Sequence, residues 1–220
     1  MEKETNKIGC IIMASGEGKR FGSNKLLVDF CGKSLIQRIL DTTEALFEKR
    51  VVVTRSEEVR DICTRQNINV ILHKLPYRND TIRLGMGAME EMEACVFCSS
   101  DQPLLRKESL KKLRKSFMVH KSGIHRLFFE EQEGMPILFG KEYFEELKNL
   151  PEKAGGGYLI KKYPQQVVRV SVADEAELLD VDTPEELEKL LQIADGKNRS
   201  GEVLRNDDEK NSESSIRTSF

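Results

Sequence analysis

The chain has 220 residues, with 35 Lys and Arg against 37 Asp and Glu and a formal net charge of −2, and a mean hydropathy of −0.46. That length suits one domain with or without a tail; it can bury about 70% of its unfolded surface, so neither disulfide nor metal is needed to hold it together. The charge balance excludes a nucleic-acid binder acting through bulk positive charge. No apolar run approaches the roughly 18–20 residues of a membrane span, and M-E-K-E-T-N-K lacks a signal peptide's apolar core, so a cytoplasmic protein is expected.

Ile8 to Ala14, I-G-C-I-I-M-A, is a short apolar run of the kind that forms a strand buried on both faces. The loop Ser15 to Lys25 follows. Leu35, Ile36, Ile39, Leu40 and Leu46 then recur with helical spacing to about residue 47. Val51-Val52-Val53 reads as a second buried strand, Glu57 to Arg65 as a short helix and Val70-Ile71-Leu72 as a third strand. Ile82, Met86 and Met89 stripe a helix from about Asp80 to Glu93; Cys95 to Ser99 is a fourth strand, ended by the turn S-S-D-Q-P-L. Next come a helix over 107–118, two strand-like stretches within 124–139 with Gly134 between them, and a helix over 141–149. The last unit runs V-V-R-V, then E-L-L-D-V-D as a further strand, then the helix P-E-E-L-E-K-L-L. A capping box marks its start, with Thr183 at N-cap, Pro184 at N1 and Glu186 at N3.

This alternation predicts an α/β fold with a mostly parallel sheet flanked by helices. The pair within 124–139 breaks the pattern and reads as an inserted hairpin that covers a site. From Asp195 onward only four large apolar residues occur in 26, without periodicity. Such a stretch cannot bury enough surface to offset its ordering entropy, so 1–194 is expected to be the domain and 195–220 a polar, disordered tail.

Cys10, Cys31 and Cys63 stand singly, and Cys95 and Cys98, three apart in a strand, point to opposite faces. They read as structural thiols, and His73, His120 and His125 show no ligand spacing. Zinc is not expected.

In open α/β sheets ligands bind at the carboxyl ends of strands. The loop after the first strand holds Gly16, Gly18 and Gly22 with Lys19, Arg20 and Lys25, against Glu17 alone. Glycines admit close backbone approach, and backbone N–H groups with cations suit a polyphosphate. The spacing fits neither G-x-x-x-x-G-K-[ST] nor G-x-G-x-x-G, which argues against a P-loop kinase and a dehydrogenase. Asp101 follows the fourth strand, placed to hold a divalent metal on a triphosphate. Asp180 and Asp182, two apart, share a face if their strand continues.

Together these segments resemble the MobA-like nucleotidyltransferases, and within them the molybdenum cofactor cytidylyltransferase branch. The family pattern L-A-A-G-x-S-x-R-M-G-x-x-K-L-L is met by I-M-A-S-G-E-G-K-R-F-G-S-N-K-L-L, and G-D-Q-P by Ser100-Asp101-Gln102-Pro103. G-[NH]-P-x-L-F is met by Gly134 to Phe139, D-I-D-T-P-E-D-L by Asp180 to Leu187, and the family's glycine-rich segment by Ala154 to Leu159. The resemblance implies a Rossmann-like nucleotidyltransferase fold that passes a nucleoside monophosphate from an NTP to a phosphorylated acceptor, releasing pyrophosphate. By position, Ala14, Ser15 and Gly16 would meet base and ribose, and Gly18, Arg20 and Lys25 the phosphates, with Arg83 adding charge near the base. Arg20, Lys25 and Asp101 would carry catalysis, Asp101 and Asp182 would hold Mg2+, and Gly134 and Pro136 would face the acceptor. A-S-G leans toward CTP, and the family's acceptor is molybdopterin or a related pterin, with a molybdoenzyme as the implied partner. Gly18 in place of serine and Met135 in place of a polar residue depart from the pattern. They leave open a sugar- or polyol-phosphate nucleotidyltransferase and a non-catalytic cofactor-delivery module.

Overall fold

Ile8–Ala14 forms β1, the third of seven strands in one sheet, and all of it but Met13 is buried because helices cover both faces. The computed structural model describes residues 7–16, 18, 21, 22 and 24–199. In chain order β1 is followed by a two-stranded ribbon, β2 (Asp29–Phe30) and β3 (Lys33–Ser34), and by α1 (Leu35–Thr42). Then come β4 (Lys49–Thr54), α2 (Glu57–Arg65), β5 (Asn69–Leu72), α3 (Arg78–Gly87), β6 (Ala94–Ser99) and α4 (Lys107–His120). The second half adds β7 (Ile124–Phe129), β8 (Gln132–Gly140), α5 (Phe144–Lys148), α6 (Gly157–Lys162), β9 (Val167–Ser171) and α7 (Pro184–Arg199).

The sheet order is β5-β4-β1-β6-β8-β7-β9. Every pairing is parallel except those of β8, which runs against β6 and β7. The chain moves outward from β1 through β4 to β5, then returns to β6 on the other side of β1. That reversal opens a crevice at the carboxyl ends of β1 and β6.

Alternate residues of the central strands feed two cores. Cys10, Ile12, Val52, Val96 and Cys98 pack with Ile36, Ile39, Val59, Leu110 and Leu113 of α1, α2 and α4. Ile11, Val51, Val53, Cys95 and Phe97 pack with Ile82 and Met86 of α3, Leu147 of α5 and Leu159 of α6. Each such aliphatic side chain contributes about 1.5–3 kcal/mol relative to exposure. Cys95 and Cys98 fall in opposite cores as their spacing required, all five cysteines carry free thiols, and burial pushes these two well above the usual thiol range.

Several boundaries differ from expectation, each for a local reason. α1 stops at Thr42, short of residue 47, where the Thr42 and Thr43 hydroxyls bond back to the carbonyls of Arg38 and Ile39 at 2.9 and 2.7 Å and Ala45 turns to φ 54°. α3 starts at Arg78, because the Asp80 carboxylate accepts from Tyr77 N at 3.2 Å, and ends at Gly87, six residues before Glu93. Met89 and Met92 are still buried, but beyond the helix. The 141–149 helix is a 3-10 turn, Lys141–Tyr143, leading into α5. E-L-L-D-V-D is not a strand: a 3-10 turn, Glu175–Leu178, capped by Asp174 accepting from Ala176 N at 2.9 Å, passes into extended chain outside the sheet. The 124–139 hairpin is built into the sheet as β7 and β8 and is not laid over it.

The predicted capping box at Thr183 is present, with Glu186 N donating to Thr183 Oγ1 at 3.2 Å and Thr183 N to Glu186 Oε2 at 2.9 Å. α7 runs past the expected domain end at 194 to Arg199; Ala194 is buried and Lys197 pairs with Asp174. The rest of the expected tail, 200–220, lies outside the described residues. No helix among the described residues is long and apolar enough to cross a membrane.

Candidate active site

At the sheet's carboxyl edge, side chains from the neighbouring strand ends satisfy the last carbonyls of β1. Ser100 Oγ donates to Met13 O at 2.8 Å and Thr54 Oγ1 to Ala14 O at 2.9 Å. The chain can therefore leave the sheet at Ser15 without stranding polar groups. A cavity of about 730 Å3 opens there. One wall carries Ser15, Gly16 and Arg55 with Tyr77, Arg78 and Thr81 from the start of α3. The other carries Glu133, Met135, Ile137 and Phe139 of β8. Lys25, Ser99, Asp101 and Asp180 complete the chemistry, and Gly156 and Lys161 close the far side. The glycine run serves packing: at Gly155 a Cβ would lie 2.8 Å from Arg78 Cδ, and at Gly156 3.1 Å from the Phe139 ring.

Lys25 begins a 3-10 turn, Lys25–Leu27, capped by Asn24 Oδ1 accepting from Leu26 N at 3.2 Å. That turn aims a nearly buried ammonium at two acidic segments. Its three hydrogens go to Asp101 Oδ2, Asp182 Oδ1 and Val181 O, each at 2.7 Å. Burial opposes the Lys25 charge, but the Asp101 and Asp182 carboxylates outweigh it and hold the pKa above its ordinary value. The two acidic segments are also joined directly, with Val181 N donating to Asp101 O at 2.9 Å and Gln102 Nε2 to Leu178 O at 3.2 Å. Ser99 Oγ donates to Asp101 Oδ1.

Asp180 is the third carboxylate. Solvent reaches it through the mouth of the cleft, yet protein atoms ring it; that burial, with repulsion from Asp101 and Asp182, pushes its carboxyl up to about 7. Three carboxylates against one ammonium leave the cluster short of positive charge, and this hard oxygen donor set fits a divalent cation. No three His, Cys, Asp or Glu side chains among the described residues form a ready-made metal cage. One or two carboxylates suffice where substrate phosphates complete the coordination.

The structure brings Ser15, Gly16, Lys25 and Asp101 to one cavity, with Asp182 joined through Lys25. Ala14 is the buried end of β1, and Gly18 and Gly22 are positive-φ turn residues, at 58° and 68°, outside the cavity lining. Lys19 and Arg20 lie outside the described residues. Three expectations move. Lys25, expected to meet the phosphates, gives all three hydrogens to the two acidic segments. Arg83 pairs with Asp80 at 3.2 Å on the face of α3 away from the cavity, and Arg78 takes the cavity side. Gly134 and Pro136 are off by one: alternation along β8 turns Glu133, Met135 and Ile137 into the cavity, while a Cβ on Gly134 would meet Leu178 at 3.2 Å.

Arg55, Arg126 and the supporting His73 lie outside the sequence expectations for the site. Arg55 and His73 each follow a strand directly, which is a readable signal; Arg126 depends on the sheet order, which is not. Asp180, expected with Asp182 on one strand face, reaches the cavity on extended chain outside the sheet instead.

Fold and site together define a nucleotidyltransferase. The chain belongs to the MobA-like NTP transferase domain family, whose model matches residues 10–168. Among curated relatives, a probable molybdenum cofactor guanylyltransferase of Aquifex aeolicus is 26% identical over 189 residues, 84% of this chain and 90% of its own. Among solved structures, Rv0371c of Mycobacterium tuberculosis superposes with a TM-score of 0.75 at 22% identity, covering 84% of this chain and 98% of that one. A complex of that protein with manganese superposes at 0.68 with 20% identity, over 84% and 98%. A nucleotidyl transferase from a Methanothermobacter reaches 0.73 at 19% identity, over 89% and 99%. Nucleotidyltransferases of this kind use NTPs and divalent metals.

Proposed function

We propose that the chain transfers CMP from CTP to a phosphorylated acceptor of the molybdopterin type, with Mg2+, releasing pyrophosphate. The observation that carries this reading is the Lys25–Asp101–Asp182 cluster, with Asp180, in the wall of a nucleotide-sized cavity at the sheet's switch point. Of the carboxylates that line the cavity, Asp101 and Asp180 would hold the ion, with Asp182 beside them through Lys25. An ion held there would supply positive charge to the α-phosphate and the departing pyrophosphate. Lys25 holds the Asp101 and Asp182 carboxylates in place, and the Ser15–Gly16 backbone lies open to close approach, with nothing within 4 Å of a Cβ at Gly16. Met135, Ile137, Phe97 and Phe139 offer a flat ring an apolar wall, and Arg78 and Lys161 offer cations to its phosphate. A molybdoenzyme receiving the product is the partner this reading implies.

A second reading, GMP from GTP, is favoured by the name of the Aquifex relative. The test is pyrophosphate release with CTP, GTP or ATP, with and without Mg2+, and with molybdopterin or a sugar phosphate as acceptor. Release is expected with CTP, Mg2+ and molybdopterin, and Asp101→Ala should lower kcat about 100-fold or more with the circular dichroism unchanged. Faster turnover with GTP selects the second reading; release with the sugar phosphate alone refutes the pterin acceptor. No release under any combination sinks the proposal.

A further inference from the structure

Ser15 begins the loop that leaves the central strand, and its residue forms part of the cavity wall. Its side chain nevertheless points into the protein. Ser15 Oγ lies 3.1 Å from Val53 O and 2.8 Å from His73 Nε2. His73 is buried just past β5, with its backbone N donating to Thr54 O at 3.0 Å, so the ring is carried by the sheet's own ladder.

The proton positions follow from the partners. Leu75 N donates to His73 Nδ1 at 3.2 Å, so Nδ1 must be an unprotonated acceptor. Nε2 therefore carries the hydrogen and donates to Ser15 Oγ, whose own hydrogen can go only to Val53 O. From the other side Arg55 Nε and Nη2 both donate to Ser15 O, at 2.8 and 2.6 Å. Ser15 is thus held at its hydroxyl and at its carbonyl by residues of two other strand ends. With the hydroxyl and the carbonyl of Ser15 so engaged, the residue presents its backbone to the cavity, beside Gly16 and Arg55.

We propose that His73 is a positioning residue for the nucleotide: as the neutral Nε2–H tautomer it donates to Ser15 Oγ and fixes the Ser15–Gly16 wall against which the NTP lies. The inference rests on the nucleotidyl-transfer reading above. The charged groups that face the ring are Arg55, from the end of β4, and Asp80, from α3. Burial and then Arg55 lower the His73 pKa below its usual value, outweighing Asp80, so the neutral form prevails at pH 7. Protonation would set an Nδ1–H against the Leu75 N–H, two donors face to face, and drive the ring from the position in which its Nε2–H meets Ser15 Oγ. Because the folded-state pKa is lowered, the stabilisation is present above the ordinary histidine value and is lost as pH falls through the folded one.

The experiment has a part that does not depend on turnover. On the native protein, 15N NMR of the His73 ring should show an Nε2–H, Nδ1-acceptor tautomer at pH 7.5. Hydrogen exchange of the peptide carrying Ser15 and Gly16 should quicken in His73→Ala. The other tautomer, or unchanged exchange, overturns the proposal even if the protein proves to catalyse another reaction. In turnover, His73→Ala should raise the KM for NTP about two- to tenfold, the range of one hydrogen bond's net worth, with a smaller change in kcat.

His73→Gln retains a donor near the Nε2 position and cannot titrate. The native enzyme's KM should rise as pH falls below the usual histidine range; the Gln variant should recover most of the KM at pH 7.5 and lack that rise. An unchanged KM in His73→Ala, or a Gln variant with the native pH profile, overturns the proposal. If the native protein turns over no NTP, the reading of its function fails, and the NMR and exchange results alone decide the role of His73.

Discussion

Asp180 shows how a single residue can carry both a cost and a use. Its carboxyl, pushed up to about 7 by burial and by Asp101 and Asp182, is ionised at physiological pH only against repulsion. The linkage sign follows: an acid whose folded pKa lies above its unfolded value stabilises the fold below the unfolded value, near 4, and that stability is lost as pH rises toward 7. Asp180→Asn removes the repulsion. The variant should melt above the native protein at pH 7.5, and the difference should shrink as pH is lowered toward 4. Mg2+ should raise the native melting temperature more than the variant's, because the native site has more charge to neutralise. Thermal melts over that pH range, with and without Mg2+, check both; a gain independent of pH would remove Asp180 from the acidic cluster.

At the scale of elements, the cavity depends on how closely α3 lies on β1. A Cβ on Gly85 would come within 2.7 Å of Ile11 Cγ2, so the helix touches the strand through a residue without a side chain. Gly85→Val should overpack this contact by about 1–3 kcal/mol, read by urea denaturation. It should also raise the KM for NTP, since α3 carries Arg78 and Thr81 to the cavity. Unchanged stability would show that α3 is not held at that distance. Most elements were legible: the buried valines of β4, the apolar run of β1 and the Thr183 capping box each show in local pattern. So was part of the cavity's chemistry, because Asp101 stands just beyond β6 and Lys25 closes the loop that follows β1. What stayed hidden needed three dimensions. A strand's period of two moves a motif's contact from Gly134 and Pro136 to Glu133 and Met135, and no one-dimensional pattern says which parity faces the ligand. Likewise the face of α3 that turns inward selects Arg78 over Arg83 only once the helix has docked.

On the scale of the whole molecule, α7 braces the acidic cluster from outside the sheet. It begins at the Thr183 capping box, one residue after Asp182, and its Leu190 and Ala194 pack with Val181, Phe30, Leu35 and Leu104. Val181 is also the residue whose carbonyl accepts from Lys25 and whose N–H donates to Asp101. The same small core therefore joins β2 and the start of α1 to the segment bearing the carboxylates. Leu190→Ala should destabilise the protein by about 2–5 kcal/mol through the cavity it leaves, measured by denaturant unfolding. Because Val181 is the link, its kcat should fall even where the protein remains folded, and Mg2+ should restore part of the melting temperature. A chain ending at Arg199 keeps all of α7 and should melt and turn over as the full chain does. One ending at Thr183 should lose the core and the activity together. If the Arg199 truncation loses activity, residues 200–220 belong to the catalytic unit, and the boundary drawn from their composition is wrong.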